Sequence, residues 1–325
     1  MTNNQKKPKI IVVGSSNMDL VVKSPRIPAV GETILGGDFI MTPGGKGANQ
    51  AVAAAKLGTE VYLVARLGED MFGDKSLDNF KAVSVNTQYV TRSEQSPSGV
   101  ALITVDQTGN NVIVVAPGAN NELSADDVQH ARPAIASAGA LVAQLEVPLE
   151  TVEFAARMAT SCGVPFVLDP APAQKLGAEL LSMVDVLTPN ETEAQILTGI
   201  EVTDESSARK AAESLLENSA GAVIITMASA GYLLATGDGM EFVPAIEVKA
   251  VDATAAGDAF TGSLAVGLAR GEELADAAYF ANHVAALSVT KMGAQSSMPS
   301  IEDVEEFMKD VSVQRVAKSA QLGKK

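Results

Sequence analysis

Apolar and polar positions in this chain follow two alternating periods. Short β-branched runs end in a glycine or an acid, and longer stretches follow with apolar residues three and four positions apart. "KIIVVG" (9–14) is the first such run and reads as a buried strand. "GANQAVAAAKLG" (47–58) has a helical pattern stopped by Gly58, and "EVYLVARLG" (60–68) returns to the strand pattern. Further strand-like runs are "ALVAQLE" (140–146), "PFVLD" (165–169), "VDVLT" (184–188) and "AVIIT" (222–226). Helical patterns such as "LETVEFAARMATSCG" and "ESSARKAAESLLEN" separate most of them. This alternation predicts an α/β fold: a mostly parallel sheet with helices on both faces.

Two regions break the alternation. Residues 18–42 carry "DLVVKS" and "TILGGDFIM" around a Pro-containing turn, and "SGVALITVDQTGNNVIVVAPG" (98–118) reads as two strands around a Gly-Asn turn. Neither has a helix to cover it, so they predict a small antiparallel sheet projecting as a lid or a dimer surface. Residues 1–310 are expected to form one α/β domain bearing this lid, and 311–325, ending "SAQLGKK", a frayed tail.

Composition narrows the function classes. With 24 basic and 39 acidic residues the net charge is −15, which argues against nucleic acid as a partner but not against one phosphorylated small molecule in a local pocket. Cys162 is the sole cysteine, so no internal disulfide can form, and a reducing, cytoplasmic compartment is expected. Two histidines, His130 and His283, leave little for a His/Cys zinc site. No apolar stretch reaches membrane-spanning length, so no membrane partner is expected.

The candidate chemistry lies at strand ends and glycine-rich turns, because ligands of open α/β sheets bind outside the carboxyl ends of the strands. Glu146 and Asp169 each end a strand-like run; solvent-exposed polar ends are the simpler reading of both. Asn190 and Glu193 in "LTPNETEA" have the spacing of a helix capping box, which needs no ligand. "PGGKGANQA" (43–51) fails the P-loop pattern, since Ile40 stands where its first glycine belongs and Gly47 where Ser or Thr is needed. It also fails the dinucleotide fingerprint, which would need glycine at Gln50. A tight structural turn and a close backbone approach to a ligand, with Lys46 and Asn49 at hand, both remain open.

In "AVDATAAGDAFTGSLAVGLARG" (250–271), Ala255, Ala256 and Gly257 run into Asp258 at a predicted helix entrance. Small residues there let an anion approach unpaired N–H groups. A carboxylate beside such an anion is poorly placed to bind it, and well placed to take a proton from a hydroxyl that attacks it. The alternative is a dipole-stabilising Asp beside residues kept small for packing.

Taken in order, "VVGSSNMDLVV", "PGGKGANQAVAAAKLG", "GVALITVD", "QLEVPLE", "DPAPA", "LTPNETEAQILTG", "VDATAAGDAF" and "VTKMGAQSSMPS" resemble the ribokinase family of carbohydrate kinases over nearly the whole chain. The resemblance implies a ribokinase-like three-layer fold and ATP-dependent phosphorylation of D-ribose at its 5-hydroxyl. It implies that Asn17, Asp19, Gly45, Lys46, Asn49 and Glu146 hold sugar hydroxyls, and that Asp258 is the general base beside anion-hole N–H groups of Ala256 and Gly257. Asn190 and Glu193 would serve the ATP phosphates and their Mg2+. Thr226 to Gly231, with Ser229, would form the nucleotide loop, and Asn282 would lie near the nucleoside. A K+ site is implied at Asp252, Thr254, Ser288, Lys291, Gly293 and Ser297, mostly through carbonyls. The lid would also make a homodimer contact.

One departure bears on the nucleotide. The loop reads "TMASAG", where related kinases usually carry glycine at the position of Ala228 and often a basic residue at Ala230. Alternatives to ribose are deoxyribose, fructose or adenosine as acceptor, and a silent sugar-binding protein on the same scaffold. A dehydrogenase is disfavoured, because the chain lacks the Gly-x-Gly-x-x-Gly turn.

Overall fold

The computed structural model describes residues 7–218 and 220–322, with side chains through residue 311. In chain order the strands are β1 Lys9–Val13, β2 Asn17–Lys23, β3 Phe39–Gly44, β4 Glu60–Gly68, β5 Val85–Ser93, β6 Gly99–Val105, β7 Asn111–Ala116, β8 Ala140–Ala143, β9 Phe166–Leu168, β10 Val186–Leu187, β11 Ala222–Thr226, β12 Gly231–Thr236 and β13 Gly239–Pro244. The helices are α1 Lys46–Lys56, α2 Met71–Ala82, α3 Ala125–His130, α4 Arg132–Ile135, α5 Leu149–Cys162, α6 Ala178–Leu181, α7 Glu191–Thr198, α8 Glu205–Glu217, α9 Ala256–Ala269, α10 Leu274–Ser288 and α11 Ile301–Leu322.

Nine strands form the main sheet in the order β13-β12-β11-β10-β9-β8-β1-β4-β5. All pairs from β10/β11 to β4/β5 are parallel; β12 and β13 extend the edge antiparallel. Alternate strand residues feed two apolar layers. Ile11, Val13, Leu141 and Ala143 face one, while Ile10, Val12, Ala140 and Val142 face the other. Burial on both faces is why these strands read as continuous apolar runs rather than alternating ones. The three-layer expectation holds, and so do the bounds of β1, β4, β11, α5 and α8.

From β1 the order runs to β4 and β5 on one side and to β8 through β11 on the other. That reversal leaves a crevice beyond the carboxyl ends of β1, β8 and β9, where open α/β sheets bind ligands.

The smaller sheet has the order β3-β2-β6-β7. Both expected antiparallel pairs are present, β2 with β3 and β6 with β7, and a parallel β2–β6 pair joins them. Strand pattern in "TILGGDFIM" becomes strand only from Phe39. Every residue of β7 is exposed. The last helix carries regular backbone to Leu322, through much of the stretch expected as a frayed tail; residues 323–325 lie outside the described residues. Among the described residues no helix is long and apolar enough to cross a membrane.

Candidate active site

The glycine-rich turn after β3 is built on close backbone contact. Gly45 has φ +89°, and a Cβ there would lie 2.6 Å from the Asn17 nitrogen and 2.8 Å from Ser16 Cα. A Cβ on Gly44 would fall onto the Asp19 carboxylate. The turn therefore presses against the end of β1 and the start of β2, and α1 begins immediately beyond it. Both readings of the turn meet here, since this close approach is what brings Lys46 and Asn49 to the crevice.

Glu146, just beyond β8, is the hub of the expected sugar side. Its Oε2 accepts from Lys46 N at 3.1 Å and Asn17 Nδ2 at 3.5 Å, and also from the Ser15 hydroxyl. Asn17 Oδ1 accepts from Asn120 Nδ2 at 2.7 Å, which fixes the Asn17 amide so that its donor faces Glu146. Half-buried Asp19 has its pKa pushed up to about 7 by burial first, then by Glu146 and Asp258. Asn17, Asp19, Gly45, Lys46 and Glu146 thus come together, and Asn49 reaches the same crevice through Asp258.

Asp258 sits in the first turn of α9, 5% exposed. Its Oδ2 accepts from Asn49 Nδ2 at 2.8 Å and its Oδ1 from Gln50 Nε2 at 3.2 Å. Ala255, in the left-handed region at φ +60°, turns the chain into the helix. The Ala256 N–H donates to the Ala253 carbonyl at 3.2 Å, whereas those of Gly257 and Asp258 have no acceptor among the described residues. The open donors are therefore one residue further along than the expected Ala256–Gly257 pair. Packing does not explain Gly257, because a Cβ there meets nothing within 4 Å. Packing does explain the small residues deeper in α9: a Cβ on Gly262 would lie 2.7 Å from the Gln50 carbonyl of α1.

The Lys46 ammonium lies 3.9 Å from Asp169 and lines a cleft with Asn190, Glu193, Thr226 and Gly257. Burial alone would lower its pKa, but the carboxylates, Asp169 foremost, hold it raised and the ammonium charged. Asp169 accepts from Gln50 Nε2 at 2.7 Å; burial raises its pKa while Lys46 pulls the other way. Lys46 thus serves both sides, its main-chain nitrogen at Glu146 and its ammonium at the cleft.

On the cleft's far side Asn190 and Glu193 form a full capping box. Glu193 N donates to Asn190 Oδ1 at 2.9 Å and Asn190 N to Glu193 Oε2 at 2.8 Å. The cap and the cleft position are the same residues, so the two sequence readings coexist. Burial raises the Glu193 pKa. Asn190 pairs with Thr226 at the end of β11, which brings the expected nucleotide loop alongside. Ala228 of that loop has φ +43°, where glycine is the ordinary occupant, and Ser229 next to it is exposed. A Cβ on Gly231 would overlap the Val243 carbonyl. Asn282 donates to the Pro244 carbonyl at 3.1 Å and anchors the end of β13.

The residues expected at a monovalent cation fall on two neighbouring segments. Val251 N donates to the Val289 carbonyl at 2.7 Å, and the Asp252 carboxylate accepts from Gly293 N at 2.8 Å, Thr254 N at 3.0 Å and Thr254 Oγ1 at 2.6 Å. Asp252, Thr254 and Gly293 are therefore in direct contact. Ser288 and Lys291 share a turn, with Lys291 N 3.2 Å from the Ser288 carbonyl, and Ser297 N closes another on Ala294. Two irregular segments tied face to face offer hard oxygen ligands, the donor chemistry an alkali cation takes. Glu193 and Asn190 likewise offer oxygens to Mg2+, which binds through one or two carboxylates plus phosphate and water.

Sequence reasoning did not assign Gln50, Gln144, Asn120, Gln295, Thr188 or Thr261, all buried at or behind this crevice, and weighed Asp169 only as a strand end. Gln50 had a signal, following Asn49 one residue along α1. Asn120, in the short 3-10 helix Gly118–Glu122, and Gln295, in a turn, lie far along the chain from their partners, and no spacing rule reaches them.

With this geometry in hand, the sequence model described as "pfkB family carbohydrate kinase" matches residues 7–301. A ribokinase of Haemophilus influenzae is 42% identical over 299 residues, covering 92% of this chain and 98% of the relative. A deoxyribokinase of Salmonella typhi is 40% identical over 300 residues, covering 92% and 98%. The solved structure of Arabidopsis thaliana ribokinase complexed with ribose and ATP superposes with a TM-score of 0.86 at 32% identity, covering 94% of this chain and 99% of that one.

Proposed function

The chain belongs to the pfkB family of carbohydrate kinases, and from that premise we propose that it transfers the γ-phosphoryl group of ATP to the 5-hydroxyl of D-ribose, giving ribose 5-phosphate and ADP. The observation that carries the chemistry is buried Asp258, held by Asn49 and Gln50 beside the open N–H groups of Gly257 and itself. Asn17, Asp19, Glu146 and Asn49 bind the sugar hydroxyls and aim the 5-hydroxyl at the cleft. Asp258 takes that hydroxyl's proton as its oxygen attacks the γ-phosphorus and the bond to the ADP oxygen breaks. The open N–H groups at the α9 terminus stabilise charge on the transferring group, and the Lys46 ammonium adds to the same field. Mg2+ held through Asn190 and Glu193 would neutralise phosphate charge.

The oxygens of the segments around Asp252 and Gly293 would hold K+, whose charge would help fix the entrance to α9. Ser229, Gly231 and Asn282 belong to the nucleotide side. The small sheet closes over the sugar and excludes water. Its exposed apolar residues, Val112, Ile113, Val114, Val115, Leu102 and Phe39, support a homodimer through this sheet. The single free cysteine supports a cytoplasmic location.

2-Deoxyribose is the second reading, favoured by the deoxyribokinase relative. ADP release from MgATP with ribose, 2-deoxyribose, fructose or adenosine, each with and without K+, decides between acceptors. Ribose-dependent release stimulated by K+ is expected; release with 2-deoxyribose alone overturns the assignment. Asp258→Asn is expected to lower turnover at least about a thousandfold while ribose still binds, as loss of a general base does.

A further inference from the structure

We infer that Gln295 is a positioning residue for phosphoryl transfer, whose side-chain amide orients Asn49 so that Asn49 donates to Asp258. The inference rests on the reading of Asp258 as general base.

A primary amide can turn end over end unless its neighbours tell oxygen from nitrogen. Asn49 is held between two such neighbours. Its Nδ2 donates to Asp258 Oδ2 at 2.8 Å, and its Oδ1 accepts from Gln295 Nε2 at 3.1 Å. An ionised Asp258 only accepts, so on its own it would select this orientation. During the reaction Asp258 takes up a proton and becomes able to donate, and its selection of the Asn49 amide is lost. Gln295 is the partner that does not change.

The orientation of Gln295 is itself over-determined. Its Nε2 also lies 3.4 Å from the Gly44 carbonyl, which can only accept, and its Oε1 accepts from Asn79 Nδ2 of α2 at 2.6 Å. The Lys56 ammonium at the end of α1 pins the same loop, donating to the carbonyls of Gln295 at 3.0 Å and Met298 at 2.9 Å. Gln295, Asn49 and Asp258 are each about as buried as core side chains, at 5%, 6% and 5% exposure, so solvent is a poor substitute for a missing partner. Two residues upstream, Gly293 N donates to Asp252. The loop therefore supports the approach to α9 at one point and the partner of Asp258 at another.

The test uses Gln295→Met, which keeps the volume and removes the amide, and Asn79→Ala, which removes the shorter of the two hydrogen bonds that orient Gln295. ADP release at saturating ribose and MgATP gives kcat, and initial rates give both KM values. The melting temperature completes the set. Gln295→Met is expected to lower kcat about tenfold with KM for MgATP within about twofold. Asn79→Ala is expected to lower kcat about threefold, with KM values and melting temperature little changed.

Wild-type kcat in both variants overturns the inference. So does a Gln295→Met defect that tracks loss of fold while Asn79→Ala behaves as wild type. If Gln295→Met does not fold, Asn79→Ala decides alone. Asp258→Asn run alongside separates the two readings: retained turnover there sinks the general base itself, whereas an inactive Asp258→Asn beside wild-type Gln295 and Asn79 variants sinks only the positioning role.

Discussion

Sugar binding should depend on pH through Asp19. Burial, then the neighbouring charges of Glu146 and Asp258, push this carboxyl from 3.8 up to about 7. A hydroxyl that donates to Asp19 binds its ionised form, so ribose and a proton compete for the same group. With a pKa near 7, roughly a tenth of the sites are ionised at pH 6 and about nine tenths at pH 8, so apparent affinity for ribose should rise about tenfold across that interval, worth about 1.4 kcal/mol. Near pH 7 binding should release about half a proton per ribose. Titration calorimetry in two buffers of different ionisation enthalpy counts that proton directly. Asp19→Asn should bind more weakly and lose the pH dependence, which separates Asp19 from Asp169 and Glu193, whose pKa values burial also raises. A wild-type dissociation constant that stays level from pH 6 to 8, with no proton released, refutes the reasoning. The sign carries over to folding. The native state holds this proton more tightly than the unfolded chain, so the carboxyl's contribution to stability is full below about pH 4 and lost as pH rises through about 7. The sugar-free protein should accordingly melt lower at pH 8 than at pH 6, and ribose should offset more of that loss at pH 8.

Three further outcomes are expected. Gly45→Ala forces a Cβ to 2.6 Å from backbone at positive φ, and should lower stability by about 2–4 kcal/mol in denaturant titrations and raise KM for ribose; wild-type values for both would mean the turn adapts. Asn190→Ser keeps a cap and Asn190→Ala removes it, so only the alanine variant should lose about 1 kcal/mol of stability, while both should raise KM for MgATP; an unchanged KM in the serine variant reduces Asn190 to a cap. Val114→Lys on exposed β7 should shift sedimentation from dimer to monomer with little loss of melting temperature; a wild-type protein that already sediments as a monomer removes the dimer.

The parallel core was legible because burial on both faces leaves unbroken β-branched runs, and "KIIVVG", "EVYLVARLG" and "AVIIT" need no distant partner to be read. The helix entrance at Asp258 was legible for a similar reason, since small residues before a lone acid are a local signal. The edge strands β5 and β13 were not read, because their half-exposed patterns are ambiguous until the neighbouring strand is known. Nor could the residues show that the β2–β3 and β6–β7 ribbons pair in parallel, which depends on how both dock onto the main sheet.

At the site the division is sharper. The residues alone marked Lys46, Asn49, Glu146, Asn190, Glu193 and Asp258 as candidates, because they stand at strand ends, turns or helix starts, and the family resemblance added Asn17 and Asp19. Only the tertiary structure decided how they share protons and charge. It aimed the Lys46 ammonium at Asp169, moved the open N–H pair to Gly257 and Asp258, and placed Gln295 against Asn49 across 246 residues of chain. The physical reason is range. Periodicity and capping act within one or two helical turns, whereas the direction of a buried amide and the ionisation of a buried carboxylate are set by whatever groups folding packs around them.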